Sequence, residues 1–178
     1  MLMNAKLYEN ELMKLYNEIA YDPFYQYHVF SDIRTTFKVP EDTGDGHYFV
    51  SVINDEVIGL IYYCTRRIDR VVDSLGIVHF GGEEAKNNYA FGKDVIIAVK
   101  DIFEKFGFVK INFSCIIGNP AEKTYDRLIN SYGGRIAGIF RNDTRLLDGK
   151  LYSKKVYEIL AEEYFASVEK KRRSAYGN

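Results

Sequence analysis

Asn87-Asn88-Tyr89-Ala90-Phe91-Gly92-Lys93 sets small and polar residues directly ahead of an amphipathic stretch. The first turn of a helix carries unpaired backbone N–H groups and the positive end of the helix dipole. A pyrophosphate is held there at low cost. Small residues such as Ala90 and Gly92 let the backbone approach the phosphates, and Lys93 adds a cation that could meet their oxygens. The bland alternative is a loop-to-helix turn in which Gly92 serves geometry alone. Asn119 stands before Pro120, which reads as a helix entry with Pro in the first turn.

The surrounding elements must position these residues. Leu7, Leu12, Leu15, Tyr16 and Ile19 have helical spacing that ends at Pro23. The aromatic stretch 24–39 suits a second short helix, and Pro40 to Gly46 is a loop by its turn chemistry. Strands are predicted over His47 to Ile53, Val57 to Thr65 and Val71 to Phe80. Apolar residues at Val95, Ile96, Val99, Ile102, Phe103 and Phe106 predict a helix over 92–106, with Gly107 at its C-terminal cap. Val109 to Ile117 is nearly all apolar, as in a buried parallel strand. A helix over Ala121 to Tyr132 and strands over 135–141 and 151–160 complete the order, with a loop at 142–150 and a charged helical tail. The third strand, helix and fourth strand form a βαβ unit, so one parallel pair must sit in an otherwise antiparallel sheet. Where that pair splays, its carboxyl ends open a crevice for a ligand. The fold class expected is α/β (α+β), a mixed, mostly antiparallel sheet with a central βαβ unit and flanking helices. Residues 1–165 form one domain in this reading: 1–46 a helical wall, 47–160 the core, and 166–178 a charged tail.

This order resembles the GNAT superfamily of N-acetyltransferases over residues 47–160. The family's cofactor loop reads Q/R-x-x-G-x-G/A before its central helix, and Asn87 to Gly92 occupies that place. Asn87 replaces the usual Gln or Arg, and Ala90 replaces the first glycine. The intervals agree better than the letters. Gly92 and Gly107 are 15 apart, Gly107 and Asn119 are 12 apart, and both are family spacings. The resemblance implies acetyl-CoA bound by Val78, Phe80, Asn87, Asn88, Tyr89, Ala90, Phe91, Gly92, Lys93 and Asn119. It also implies a backbone N–H from 77–80 that polarises the thioester carbonyl, and a tyrosine acid in the helix after Asn119. The strict position for that acid falls on Asp126, and Tyr125 beside it is the candidate, with Tyr132 further along. For the base, the third strand offers Asp73 and His79, with Glu83 and Glu84 beyond. Only the histidine has an ordinary pKa near neutrality, so His79 is the candidate. The acceptor is an unidentified primary amine. The departures at Asn87 and Ala90 keep open a GNAT-fold binding module without turnover.

Composition narrows the rest. The formal net charge is −1, which gives no reason to expect a nucleic-acid or membrane partner. The basic run Lys170 to Arg173 reads as a solvated tail. Three histidines in no spaced ligand set leave no metal site to expect. Cys64 and Cys115 lie in apolar runs and read as buried free thiols of a reducing compartment. With no signal segment or apolar span apparent, the expected location is cytoplasmic, and a homodimer is compatible with this reading.

Overall fold

A computed structural model describes residues 1–20, 22–27, 38–41, 44–81 and 88–176, without the side chains of residues 88 and 176. The elements run β1 (Leu2–Asn4), α1 (Glu9–Ile19), β2 (Gly46–Ile53), β3 (Glu56–Arg66), β4 (Val71–His79), α2 (Asn88–Lys100), β5 (Lys110–Ile116), α3 (Glu122–Tyr132), β6 (Arg135–Arg145), β7 (Leu151–Leu160) and α4 (Ala161–Tyr176). They build a seven-stranded sheet in the order β1-β2-β3-β4-β5-β7-β6. Every neighbouring pair is antiparallel except β4 and β5, which are parallel.

Alternation along the strands divides the core between the two sheet faces. Ile61, Tyr63, Leu75, Ile111 and Phe113 join α2 and α3 in one apolar cluster. Leu60, Val50 and Val78 join α1 through Leu12, Tyr16 and Ile19 in the other. The spacing of those three residues on α1 is one face of a helix. A side chain as fully buried as Ile61, Ile111 or Ile102 contributes about 1.5–3 kcal/mol. The α2 helix is tied to the sheet by a polar contact as well, because the Ser51 hydroxyl donates to the buried Asp94 carboxylate at 2.6 Å.

Several boundaries differ from the sequence expectation. The α2 helix is already formed at Asn88, four residues ahead of Gly92. No proline or β-branched residue blocks helix over 88–91, so the glycine falls inside the second turn. Its far end widens into a π-helical turn over Asp101–Lys105, where the Phe106 N–H donates to the Asp101 carbonyl at 2.9 Å. Gly107 follows with φ of 66°, the left-handed cap expected of it. The β6 strand runs through Arg145, past a left-handed Asn142, where a loop was expected. The short β1 was not foreseen, since three residues carry no readable period. Cys64 is exposed and Cys115 buried, which corrects the expectation that both are buried. The 24–39 helix expectation and the candidate residues Glu83, Glu84 and Asn87 fall largely or wholly outside the described residues; Pro23–Tyr25 makes a single 3-10 turn. No helix of the described residues is long and apolar enough to cross a membrane.

Candidate functional site

The parallel pair opens partway along its length. Residues Val71, Val72 and Leu75 of β4 face Lys110, Ile111 and Phe113 of β5, and pairing stops there. Each strand nevertheless continues, β4 along β3 to His79 and β5 along β7 to Ile116. The sheet therefore splits between Gly76–His79 and Ser114–Ile116.

The phase of β4 decides which backbone groups face the split. The Phe80 N–H donates to the Ile58 carbonyl at 3.0 Å. Bonding groups alternate along an antiparallel strand, so Val78, in the same phase, also turns to β3. Ile77 and His79 turn the other way, toward β5. Val78 and Phe80 were expected to offer cofactor contacts, but their N–H groups are taken up by β3 pairing. Val78 is buried against α1, and the Phe80 ring meets Tyr16 edge-on at 5.4 Å. The groups presented to the opening are those of Ile77 and His79. The His79 carbonyl accepts from the Tyr25 hydroxyl at 2.7 Å.

Tyr125 reaches the opening from α3. Its ring packs edge-on against Phe113 at 5.0 Å and Tyr157 at 5.8 Å. Burial pushes the hydroxyl well above the ordinary phenol value. Cys115 and Tyr62 act in the same sense, and a hydrogen bond with the Ile77 backbone acts against them. The sequence candidate for the acid thus meets the strand it was expected to serve, and it stays protonated at neutral pH. Asp126, at the strict family position, faces elsewhere. It accepts from the Tyr157 hydroxyl at 2.9 Å and lies 3.5 Å from the Lys155 ammonium.

His79 takes a different role from the one expected. Its Nδ1 accepts from the Gly81 N–H at 3.1 Å. In the neutral ring the proton then sits on Nε2, and no lone pair remains to act as a base. Burial holds its pKa below the ordinary histidine value. The ring meets Phe91 of α2 edge-on at 5.1 Å. That contact depends on Gly59, which pairs with His79 across β3. A Cβ on Gly59 would stand 2.3 Å from the Phe91 ring and 2.8 Å from the Val78 carbonyl.

The loop candidates divide. Because α2 is already helical at Asn88, the N–H of Gly92 lies inside the helix, one turn past Asn88. Phe91 is a core side chain, so only its backbone can meet a ligand. Tyr89 is exposed, with the Lys93 ammonium 4.5 Å from its ring centre. A Cβ on Gly92 would meet no atom within 4 Å, so this face of the helix is open. Asn119 makes a turn three residues ahead of α3. Its Oδ1 accepts from the Ala121 N–H at 2.9 Å and its carbonyl from the Glu122 N–H at 2.9 Å. It leads the chain toward α3 but is not the cap expected: Ala121 is the N-cap, α3 begins at Glu122 and Pro120 lies ahead of the first turn.

No protein-family model matches the sequence, and no curated protein matches it either. Solved structures do match. A chimeric spermidine N-acetyltransferase built from Vibrio cholerae and human sequences superposes over 93% of this chain and 99% of its own, with a TM-score of 0.69 at 16% identity. A ribosomal-protein-S5-alanine acetyltransferase from Vibrio fischeri covers 68% of this chain, with a TM-score of 0.54 at 15% identity, and this chain spans 64% of its length. Another solved acetyltransferase covers 68% of this chain, with a TM-score of 0.57 at 20% identity, and this chain spans 60% of its length. The chain has the GNAT acetyltransferase fold. Identity at this level carries the fold and leaves the substrate to be argued from the site.

Within this GNAT fold, sequence reasoning missed a charged group beside Tyr125. The Lys155 ammonium on β7 pairs with the Glu122 carboxylate on α3, which also accepts from the Gly118 N–H at 3.1 Å. Lys155, then the Gly118 N–H, holds the Glu122 carboxyl below its ordinary range. The group fastens the start of α3 to β7 and so sets the position of Tyr125. Strand register brings Lys155 opposite Cys115, and no local motif could have shown this. Tyr25, which braces His79, was visible only as one aromatic among many.

Proposed function

We propose that this protein is an N-acetyltransferase that moves the acetyl group of acetyl-CoA to a primary amine. One observation carries the reading. The β4–β5 pair opens beyond Leu75 and Phe113, and the protonated Tyr125 hydroxyl stands at the Ile77 backbone in that opening. The residues present suit acetyl-CoA. The β4 backbone beyond Leu75 is not paired with β5, the start of α2 stands beside it through the Phe91–His79 contact, and the Gly92 face leaves room for a close approach.

In this reading the His79 backbone N–H, turned to the opening, donates to the thioester carbonyl oxygen. The acceptor ammonium gives a proton to water. Its nitrogen then bonds to the carbonyl carbon and sheds a second proton to solvent as the carbon–sulfur bond breaks. The Tyr125 hydroxyl hands its proton to the departing thiolate and regains one from solvent. Lys93 and the N–H groups of Asn88, Tyr89, Ala90 and Phe91 hold the pyrophosphate. An enzyme of this kind draws on the acetyl-CoA of the cytoplasm, where we place it.

Titration calorimetry with acetyl-CoA tests the reading, followed by a thiol-release assay over amines that include spermidine and a peptide with an N-terminal alanine. Saturable binding and thiol release with one amine class are expected. No heat at millimolar acetyl-CoA would contradict the reading. A second reading is favoured by the Tyr125 contact, because that hydroxyl occupies the Ile77 backbone a carbonyl could otherwise use. It is a CoA-binding module without turnover, and binding with no thiol release from any amine would establish it.

A further inference from the structure

His79 Nε2 is shut off from solvent and has no hydrogen-bond partner, and among the described residues no other buried side-chain nitrogen or oxygen is in that position. The Gly81 N–H on Nδ1 makes Nε2 the protonated nitrogen, so the unpaired group is a donor. A buried donor without an acceptor costs free energy in the ligand-free protein, and most native structures avoid it. Here the surroundings hold the ring in this arrangement. Phe91 packs against it, Gly59 makes room for Phe91, and Tyr25 braces the same residue through its carbonyl. The residue ends β4 where the sheet has split, and it touches the first turn of α2. We infer that the His79 side chain is a ligand-positioning donor, and that its Nε2–H is satisfied by an oxygen of bound acyl-CoA.

This inference rests on the acetyl-CoA reading and adds to it a contact that no loop motif would show. The acceptor is an oxygen with lone pairs to share, found both in the amide carbonyls of the pantetheine arm and in the pyrophosphate. The imidazole takes no proton in this role, so no base is invoked. The donor selects for an oxygen at that point on the ligand, and a methylene there would leave it unpaired.

The test compares wild type with His79→Phe, which keeps a planar ring and removes the donor, and His79→Gln, which keeps an N–H. Thermal unfolding without ligand is measured first. Binding of acetyl-CoA and of S-acetylpantetheine, which lacks the pyrophosphate, is then measured by calorimetry. His79→Phe is expected to raise the melting temperature of the ligand-free protein, because the unpaired donor is gone. It is also expected to weaken acetyl-CoA binding by about tenfold, the usual scale of one hydrogen bond, with His79→Gln close to wild type. Weakening toward both ligands assigns the acceptor to a pantetheine carbonyl, and weakening toward acetyl-CoA alone assigns it to the pyrophosphate. A His79→Phe protein that binds both ligands as wild type does overturns the inference and leaves the acetyl-CoA reading standing. A wild type that binds neither ligand overturns both. A measurement on the unmodified protein serves even if His79→Phe does not fold. In nitrogen-15 histidine spectra, the Nε2–H proton of His79 is expected to move downfield when acetyl-CoA is added, and an unmoved signal at saturation overturns the inference.

Discussion

The two halves of the β4–β5 pair are made of the same strands and have opposite characters. In the first half, Val72, Leu75, Ile111 and Phe113 are buried and the strands are paired. In the second half the strands part, and the groups turned to the gap are polar: the Ile77 and His79 backbones and the Tyr125 hydroxyl. The first half obtains its stability from burial. The second half keeps groups in fixed positions without pairing them to each other along the strands, which is the condition for meeting a ligand. Substitutions in the two halves should therefore separate stability from ligand handling.

The largest expected effect lies in the paired half. Ile111→Ala empties a fully buried position and should cost about 2–5 kcal/mol of folding stability. Chemical denaturation reads the loss, while acetyl-CoA affinity per folded molecule stays near wild type. Next comes Tyr125→Phe in the open half. Turnover should fall by about 100-fold with the melting temperature little changed, as steady-state assays and thermal unfolding would show. An equal loss in Ile111→Ala and Tyr125→Phe turnover would erase the distinction between the halves. Gly59→Ala acts at the junction. Its Cβ would collide with Phe91 and the Val78 carbonyl, so it should cost about 1–3 kcal/mol and also disturb ligand binding through His79. The smallest effect belongs to Gly92→Ala, where a Cβ fits in open space inside a helix. It should raise stability by up to about 1 kcal/mol and weaken acetyl-CoA, whereas Gly92→Leu should weaken it further.

These two halves were also unequally legible in the sequence. The apolar run from Val109 to Ile117 announced a buried parallel strand, and the βαβ order announced the split, because both follow from local periodicity. The start of α2 was misplaced because Gly92 drew attention as a motif residue, while helix propensity over 88–91 was the better guide. The choice of Val78 and Phe80 over Ile77 and His79 turned on the phase of β4 against β3, which one residue of register reverses. His79 looked like a base because its ordinary pKa is suitable. Its actual state depends on the Gly81 N–H and on burial, which only the folded chain supplies. Tyr125 was named a candidate by resemblance, and the Lys155–Glu122 pair that fastens its helix was not seen, since strand pairing alone brings Lys155 near α3.

The central claim is that the open half of the β4–β5 pair holds acyl-CoA, and a crystal structure grown with CoA tests it most directly. The account predicts the pantetheine arm between β4 beyond Leu75 and β5 beyond Phe113, the pyrophosphate at the first turn of α2, and the thiol within hydrogen-bond reach of the Tyr125 hydroxyl. CoA bound elsewhere on the molecule, or a split left unfilled at millimolar CoA, would contradict it.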